Sequence, residues 1–232
     1  MSIKVTPNQR FQGVYNVILE DGSERIATRN LTPGRNVYGE RLIRVGEEEY
    51  RLWDPFRSKL AAAILEGMKN LPIKQNDKVL YLGAASGTTA SHVSDIVGEK
   101  GYVYCVEFSH RSIRDLIDNV CRFRLNMAPI LADARFPTRY TSLVNEVNII
   151  YCDIAQPEQA LILSNNAKIF LKDDGWTMLA VKARSIDVTK EPSEIYRREV
   201  DILRNEGFEI SEVVDLEPYE KDHAMIISRL GI

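Results

Sequence analysis

Long apolar runs are missing from this chain, and none approaches the roughly 18 consecutive residues that a membrane-spanning helix needs. The opening residues, Met1-Ser-Ile-Lys-Val-Thr-Pro, also lack the apolar stretch of a secretory signal, so an intracellular protein is expected. Cysteine is scarce and odd in number. Cys105, Cys121 and Cys152 share no Cys-x-x-Cys spacing and sit in apolar surroundings, which favours buried thiols over a disulfide framework, a redox pair or a metal site. A basic excess is missing too: 30 Lys and Arg stand against 33 Asp and Glu, a net charge of −3. A free-standing nucleic-acid binder driven by phosphate neutralisation is thereby disfavoured, and any RNA contact must be local or shared with a partner. Repeats, low-complexity segments and heptads are absent as well. What remains is an ordinary globular composition, 44% hydrophobic over 232 residues, enough for one domain of about 150 to 200 residues and a small appendage.

Two hairpin signals open the chain: strand-like runs at 14–19 and 24–28 flank Asp21-Gly22, and a second pair at 41–45 and 50–53 surrounds a turn at 46–49. A small β domain over residues 1–53 is expected, followed by a larger domain over 54–232. Asp54-Pro55 reads as the N-cap and first residue of a helix, with Leu60, Ala61, Ile64, Leu65 and Met68 as its apolar stripe and Leu71-Pro72 as its end. From Lys78 onward, strands near 79–83, 102–107, 128–132, 147–152 and 176–182 alternate with helical patterns near 88–97, 110–124, 157–170 and 191–206. The last two strand-like runs, 208–216 and 224–230, are joined by a loop too short for a parallel crossover, so they form an antiparallel hairpin. The expected fold is α/β, a Rossmann-like, seven-stranded, mostly parallel sheet with an antiparallel pair at its end.

Residues 79–89 read Val-Leu-Tyr-Leu-Gly-Ala-Ala-Ser-Gly-Thr-Thr, an apolar strand running into a small-residue loop and then, from Ser91, a helical pattern. Such a unit cradles a nucleotide-like ligand. Gly83 and Gly87 let backbone approach where a Cβ would collide, Ala84 continues the loop, and the helix start turns unpaired N–H groups toward an anionic group. Glu107, at the tip of the next apolar strand, can accept hydrogen bonds from both ribose hydroxyls of an adenosyl group. A dinucleotide fingerprint needs glycines at its first, third and sixth positions, but these hold Gly83, Ala85 and Thr88, so a pyrophosphate fits poorly. The loop resembles instead the first motif of Rossmann-like S-adenosylmethionine methyltransferases, where it holds the amino-acid end of the cofactor. The run Ala132-Asp133-Ala134 suits recognition of an adenine amino group through Asp133 and of a ring nitrogen through a backbone N–H, although an ordinary turn Asp looks the same.

Two charged residues stand at neighbouring strand ends. Asp153 follows the fourth strand of the alternating region and Lys182 ends the fifth, in the crevice where doubly wound sheets place their ligands. Each also has a plain reading, Asp153 as a cap of the following helix and Lys182 as a solvated lysine. Methyl transfer to an alcohol needs an aligned oxygen nucleophile and removal of its proton. A desolvated lysine is a plausible base, and a carboxylate can orient it and tolerate a sulfonium charge. Lys59, in the helix before the sheet, and His223, opening the last strand, read as ordinary residues in isolation and become candidates to join them only because strand ends in this topology converge. His92 and His110 look like helix-surface or helix-start residues.

Residues 81–95 (Tyr-Leu-Gly-Ala-Ala-Ser-Gly-Thr-Thr-Ala-Ser-His-Val-Ser-Asp), 53–62 (Trp-Asp-Pro-Phe-Arg-Ser-Lys-Leu-Ala-Ala) and 153–157 (Asp-Ile-Ala-Gln-Pro) closely resemble the fibrillarin family, over nearly the whole chain. The resemblance implies an S-adenosylmethionine-dependent RNA 2′-O-methyltransferase acting on rRNA or tRNA. It implies, as partners, box C/D guide RNA, a Nop-family scaffold protein and a kink-turn-binding protein. It maps the family's Lys-Asp-Lys-His catalytic set onto Lys59, Asp153, Lys182 and His223, and cofactor positions onto Thr88, Thr89, Glu107, Phe108, Asp133, Ala134 and Gln156. The Gly/Arg-rich tail of eukaryotic fibrillarins is absent, so the short archaeal form and a cytoplasmic location are expected. Two rivals stay open: a nicotinamide-dependent oxidoreductase, and an interaction module that kept the fold without catalysis. Arg111, Arg114, Arg122 and Arg124 crowd one helical pattern, the first three at ion-pair spacing with Asp115 or Asp118, and that helix reads as a solvated face, leaving Arg135 and Arg139 as better RNA candidates.

Overall fold

Two sheets formed by different sequence patterns organise the computed structural model, which describes residues 2–231. The first is antiparallel, with strands β1 (Lys4–Pro7), β2 (Val14–Ile18), β3 (Glu24–Arg29), β4 (Leu42–Val45) and β5 (Glu48–Trp53) in the order β1-β2-β3-β5-β4. Its first hairpin turns where expected: the Ser23 backbone N–H and hydroxyl donate to Asp21 Oδ1 at 2.9 and 2.7 Å, and Gly22 takes a φ of +82°. The second turn is tighter than expected, because Glu48 and Glu49 already pair with Val45 and Arg44. Strand β1 was not anticipated. Of its four residues only Val5 is half-buried, which leaves no alternation to detect.

The connecting helix α1 (Lys59–Leu65) corrects the reading of Asp54-Pro55. Ser58, not Asp54, is its N-cap, accepting from the Ala61 N–H at 3.4 Å, while Asp54 accepts from the Phe56 N–H at 2.9 Å and closes a separate turn around Pro55. A cap must lie immediately before the apolar run, and the buried run here starts at Leu60. Lys59 is therefore the first helical residue rather than one turn in, and Met68 is buried beyond the helix end.

The second sheet contains β6 (Lys78–Leu82), β7 (Tyr102–Glu107), β8 (Met127–Leu131), β9 (Val147–Cys152), β10 (Leu171–Lys182), β11 (Phe208–Asp215) and β12 (His223–Leu230), ordered β11-β12-β10-β9-β6-β7-β8. Pairing is parallel from β8 through β10 and antiparallel across β10, β12 and β11. Order turns back at β6, whose neighbours are β7 and β9, so a crevice opens beyond the carboxyl ends there. Helices α2 (Thr88–Val97) and α3 (His110–Asn119) join α1 over one face, and α4 (Gln159–Phe170) and α6 (Pro192–Asn205) cover the other, with one short turn, α5 (Ala183–Ile186), between β10 and α6. Helix α3 ends five residues before the expected 124, giving way to a 3₁₀ turn at Cys121–Phe123. Strand β10 starts earlier than expected, with a register shift between Leu171 and Trp176. Among the described residues no helix is long and apolar enough to cross a membrane.

The first sheet packs on α2 through a buried polar network. Arg51 donates to Glu40 at 2.7 Å, to Asp95 at 2.8 Å and to Ser91 at 2.8 Å, and Arg124 reaches the other Asp95 oxygen at 2.6 Å. Arg124 is thus buried rather than part of a solvated face, whereas Arg122 does pair with Asp118 on the surface at 2.9 Å. His92 is likewise 0% exposed, stacked on Trp53 with centroids 4.7 Å apart, not on the helix surface. Helical periodicity reports one buried face, and the layer that covers the other face of α2 includes Thr28, 64 residues before His92 in sequence. Burial, with the positive charge of Arg51 and Arg124, pushes the His92 pKa well below its ordinary value, so the ring is neutral. Thr28 donates to Asp95 at 2.8 Å, so it accepts from His92 Nδ1 at 2.7 Å, and Nε2 then accepts from the Tyr38 hydroxyl at 2.8 Å.

Removing the Asp95 carboxylate would leave two guanidinium groups buried without their shared counter-charge. Asp95→Ala is expected to cost about 3–5 kcal/mol of unfolding free energy. Urea denaturation checks this, and a midpoint like that of the parent would show that the network does not hold the layers together.

Candidate active site

The carboxyl ends of β6, β7 and β9 enclose a cleft of about 220 Å³. Its floor is the loop between β6 and α2. Gly83 and Gly87 take φ of +81° and +93°, and the atoms that exclude a side chain at each belong to the protein. A Cβ on Gly83 would stand 2.2 Å from the Asp153 carbonyl oxygen, and one on Gly87 would stand 2.6 Å from Leu116 Cδ1. Within the protein these glycines let the strand end meet the β9 loop and let α2 settle on α3, a requirement beyond the expected close approach of a ligand. The N-cap of α2 is Gly87, so no cap side chain takes up the first N–H groups of the helix. Thr88 is half-buried at that start, whereas Thr89 turns inward and donates to Ser58 Oγ at 2.9 Å.

Glu107 is buried at the end of β7, with each carboxylate oxygen tied to one backbone N–H, Ala85 at 2.9 Å and Ser109 at 2.8 Å. Both oxygens keep a lone pair, directed by these tethers, for a pair of hydroxyls. Phe108 is exposed at the cleft wall, beside Ala134, Gln156 and Asp153. Asp133 also lines the cleft, but Arg135 folds back on it with contacts of 2.6 to 3.1 Å and holds its carboxyl below the usual range. Arg135 therefore does not stand free as an RNA contact, although an exposed pair of this kind is readily exchanged. Arg139 stacks its guanidinium 4.6 Å from the Phe136 ring centroid. Ala84 is buried behind the cleft and does not line it.

Beside the cleft the four candidate catalytic side chains converge. Lys59 Nζ donates to Asp153 Oδ2 at 2.9 Å, joining the start of α1 to the end of β9 across 94 residues of sequence. Asp153 does not cap α4, whose N-cap is Glu158. Lys182 and His223 are direct partners across β10 and β12. Desolvation lowers the His223 pKa, and the charges of Lys59 and Lys182 lower it further against the opposing effects of the Lys221 carbonyl and Glu220. Its Nδ1 lies 2.7 Å from the Lys221 carbonyl oxygen, which can only accept, so Nδ1 carries the proton. Nε2 then holds a lone pair, and it is buried with no hydrogen-bond partner among the described residues. His110 remains apart, exposed at the start of α3. The arrangement combines a ligand cleft, a pinned carboxylate and a neutral imidazole, a set suited to aligning a hydroxyl and moving its proton.

One residue of this neighbourhood escaped the sequence reading. Gln159 is fully buried at the first position of α4 and hydrogen-bonds the Lys182 main chain. A single glutamine at a helix start carries no local signal for this.

The fibrillarin family model matches residues 5–231. The Aeropyrum pernix fibrillarin-like rRNA/tRNA 2′-O-methyltransferase is 57% identical over 224 residues, covering 97% of this chain and 96% of that protein. The solved Aeropyrum pernix fibrillarin with natively bound S-adenosyl-L-methionine superposes with a TM-score of 0.91 at 57% identity, covering 97% of each chain. A fibrillarin from a fibrillarin/Nop5p complex superposes with a TM-score of 0.84 at 41% identity, covering 95% of this chain and 99% of that one.

The tightest point of the geometry is Gly83. Gly83→Ala combines a left-handed backbone with a collision against the Asp153 carbonyl, and is expected to destabilise by roughly 1–3 kcal/mol. Thermal or chemical denaturation measures it, and parental stability would mean that the two strand ends are free to separate.

Proposed function

The chain belongs to the fibrillarin family, and from that premise we propose that it transfers the methyl group of S-adenosyl-L-methionine to ribose 2′-hydroxyls of rRNA and tRNA. The observation that carries this reading is the 2.9 Å Lys59–Asp153 contact, set beside the Lys182–His223 pair and against a cleft that Asp153 itself lines. The cleft fits an adenosyl cofactor by its donors and acceptors. The tethered Glu107 carboxylate would offer two lone pairs to the ribose, the uncapped start of α2 would offer N–H groups to the amino-acid carboxylate, and Asp133, Ala134 and Phe108 would hold the adenine.

When bound, the cofactor supplies a methyl group already activated by its sulfonium charge. The chain's residues then need only align the hydroxyl and remove its proton. Lys59 pins the Asp153 carboxylate at the cleft, where it orients the acceptor and tolerates the neighbouring positive charge. Lys182 takes the hydroxyl proton as its free amine, the form that has a lone pair to accept it. Nε2 of His223, buried with no hydrogen-bond partner among the described residues, belongs to the residue directly opposite Lys182 across β10 and β12.

The scaffold partner is of the Nop type, the class named in the complex of the related fibrillarin. Box C/D guide RNA, the base-paired target RNA and a kink-turn-binding protein complete the proposed particle. Net charge supports dependence on such partners: at −3 the chain has little to offer phosphates. The rim arginines are partly engaged, Arg135 by Asp133 and Arg184 by Asp222 at 3.0 Å.

Glu107→Ala should weaken S-adenosyl-L-methionine binding by about 1–3 kcal/mol, since a buried hydroxyl pair loses its acceptor. Calorimetry reads this directly, and unchanged affinity in a folded variant would remove Glu107 from the ribose site. The purified chain should bind the cofactor yet methylate naked RNA poorly, gaining activity when scaffold and guide RNA raise the effective concentration of the target. Within that particle, Lys182→Ala should lose about a hundredfold or more in single-turnover rate. Efficient site-selective methylation by the chain alone, or a near-parental rate for Lys182→Ala, would contradict the respective part of the proposal.

A further inference from the structure

Strand β10 outruns its parallel neighbour. Pairing with β9 ends at Leu179 opposite Cys152, while pairing with β12 continues to Lys182 opposite His223. Beyond Leu179 the β9 side of β10 therefore faces no strand, and an unpaired peptide at that depth would be left to fray. Gln159 fills the gap. Its Oε1 accepts from the Lys182 N–H at 2.9 Å and its Nε2 donates to the Lys182 carbonyl oxygen at 3.2 Å, the two bonds that a neighbouring strand would have made.

The clamp has a consequence for side-chain placement. Because both main-chain groups of Lys182 turn toward Gln159, neither turns toward β12, and the next bond on that side runs from the Ala183 N–H to the Asp222 carbonyl oxygen at 3.1 Å. Lys182 and His223 thus form a non-hydrogen-bonded antiparallel pair, the class in which opposed side chains approach most closely. Gln159 is itself held. It is fully buried, and the next residue, Ala160, donates its N–H at 3.0 Å to Glu199 on α6. The segment leading into it, through Asp153 and Gln156, lines the cleft.

We infer that Gln159 is a positioning residue that acts through Lys182, standing in for a missing strand so that the lysine is held against His223 and in register with the cleft wall. The inference rests on the catalytic reading of Lys182 above, but its structural half does not. Loss of the clamp would leave the cleft's own residues intact, so binding and rate should separate.

Gln159→Met keeps the volume and removes both hydrogen bonds. Hydrogen exchange of the cofactor-free chain should show the Lys182 amide at least tenfold less protected in this variant, with the Leu179 and Ile226 amides unchanged. In the particle assembled with scaffold and guide RNA, single-turnover methylation should fall about tenfold or more, while S-adenosyl-L-methionine affinity stays within about threefold. Gln159→Glu, which keeps the acceptor and loses the donor, should fall between the parent and Gln159→Met on both measures, and it decides the matter should Gln159→Met fail to fold. Unchanged Lys182 exchange would overturn the clamp. Changed exchange with an unchanged rate would overturn the positioning role. A parent particle that transfers no methyl group would instead count against the function proposed above, leaving the exchange result to stand alone.

Discussion

The Asp95 carboxylate, buried between two guanidinium groups, is the constraint from which the rest of the architecture follows. Arg51 comes from β5, Arg124 from the segment before β8, and Asp95 from α2, so one side chain ties the first sheet, a helix and the edge of the second sheet. Charges removed from water are costly unless fully paired, and here Thr28 and the Leu31 N–H occupy further Asp95 lone pairs, at 2.8 and 3.1 Å. Such a group admits few alternative arrangements. It fixes α2, whose uncapped start emerges from the Gly83 to Gly87 loop.

From that fixed helix the site is assembled by strand ends. Gly83 lies against the Asp153 carbonyl, so the loop and the β9 end cannot move independently, and Glu107 holds the same loop through Ala85. The reactive side then draws on distant segments: Lys59 from before the sheet, Asp153 from its middle, Lys182 and His223 from its antiparallel end. A parallel sheet delivers residues to one edge, and the antiparallel hairpin brings His223 back to that edge from the last strand. The candidate cofactor cleft and the candidate catalytic cluster thus share Asp153, and on the proposed function binding and chemistry are expected to respond separately to substitution.

How much of this was legible depended on whether the controlling interaction was local in sequence. The β6 strand, its small-residue loop and α2 were read nearly to the residue, because apolar runs, glycines and a helical period occur within twenty positions. Glu107, Asp153 and Lys182 could be picked out because strand ends are visible in the pattern. The start of α1 was misread because Asp54-Pro55 carries the composition of a cap while Ser58 occupies the position of one. His92 and Arg124 were assigned to solvent because their partners, Thr28 and Asp95, come from other elements.

The amino-acid sequence by itself determined the alternation of strands and helices, the antiparallel last pair and the family, and it singled out the candidate catalytic side chains, since each rests on period, turn chemistry or short motifs. Only the tertiary structure decided why Gly83 and Gly87 must be glycine, which proton His223 keeps, that Arg135 lies on Asp133, and that Gln159 completes β10 beside Lys182. Those facts depend on atoms brought within about 3 Å by packing of segments far apart in the chain, and hydrogen bonding and exclusion at that range leave no trace in local sequence pattern.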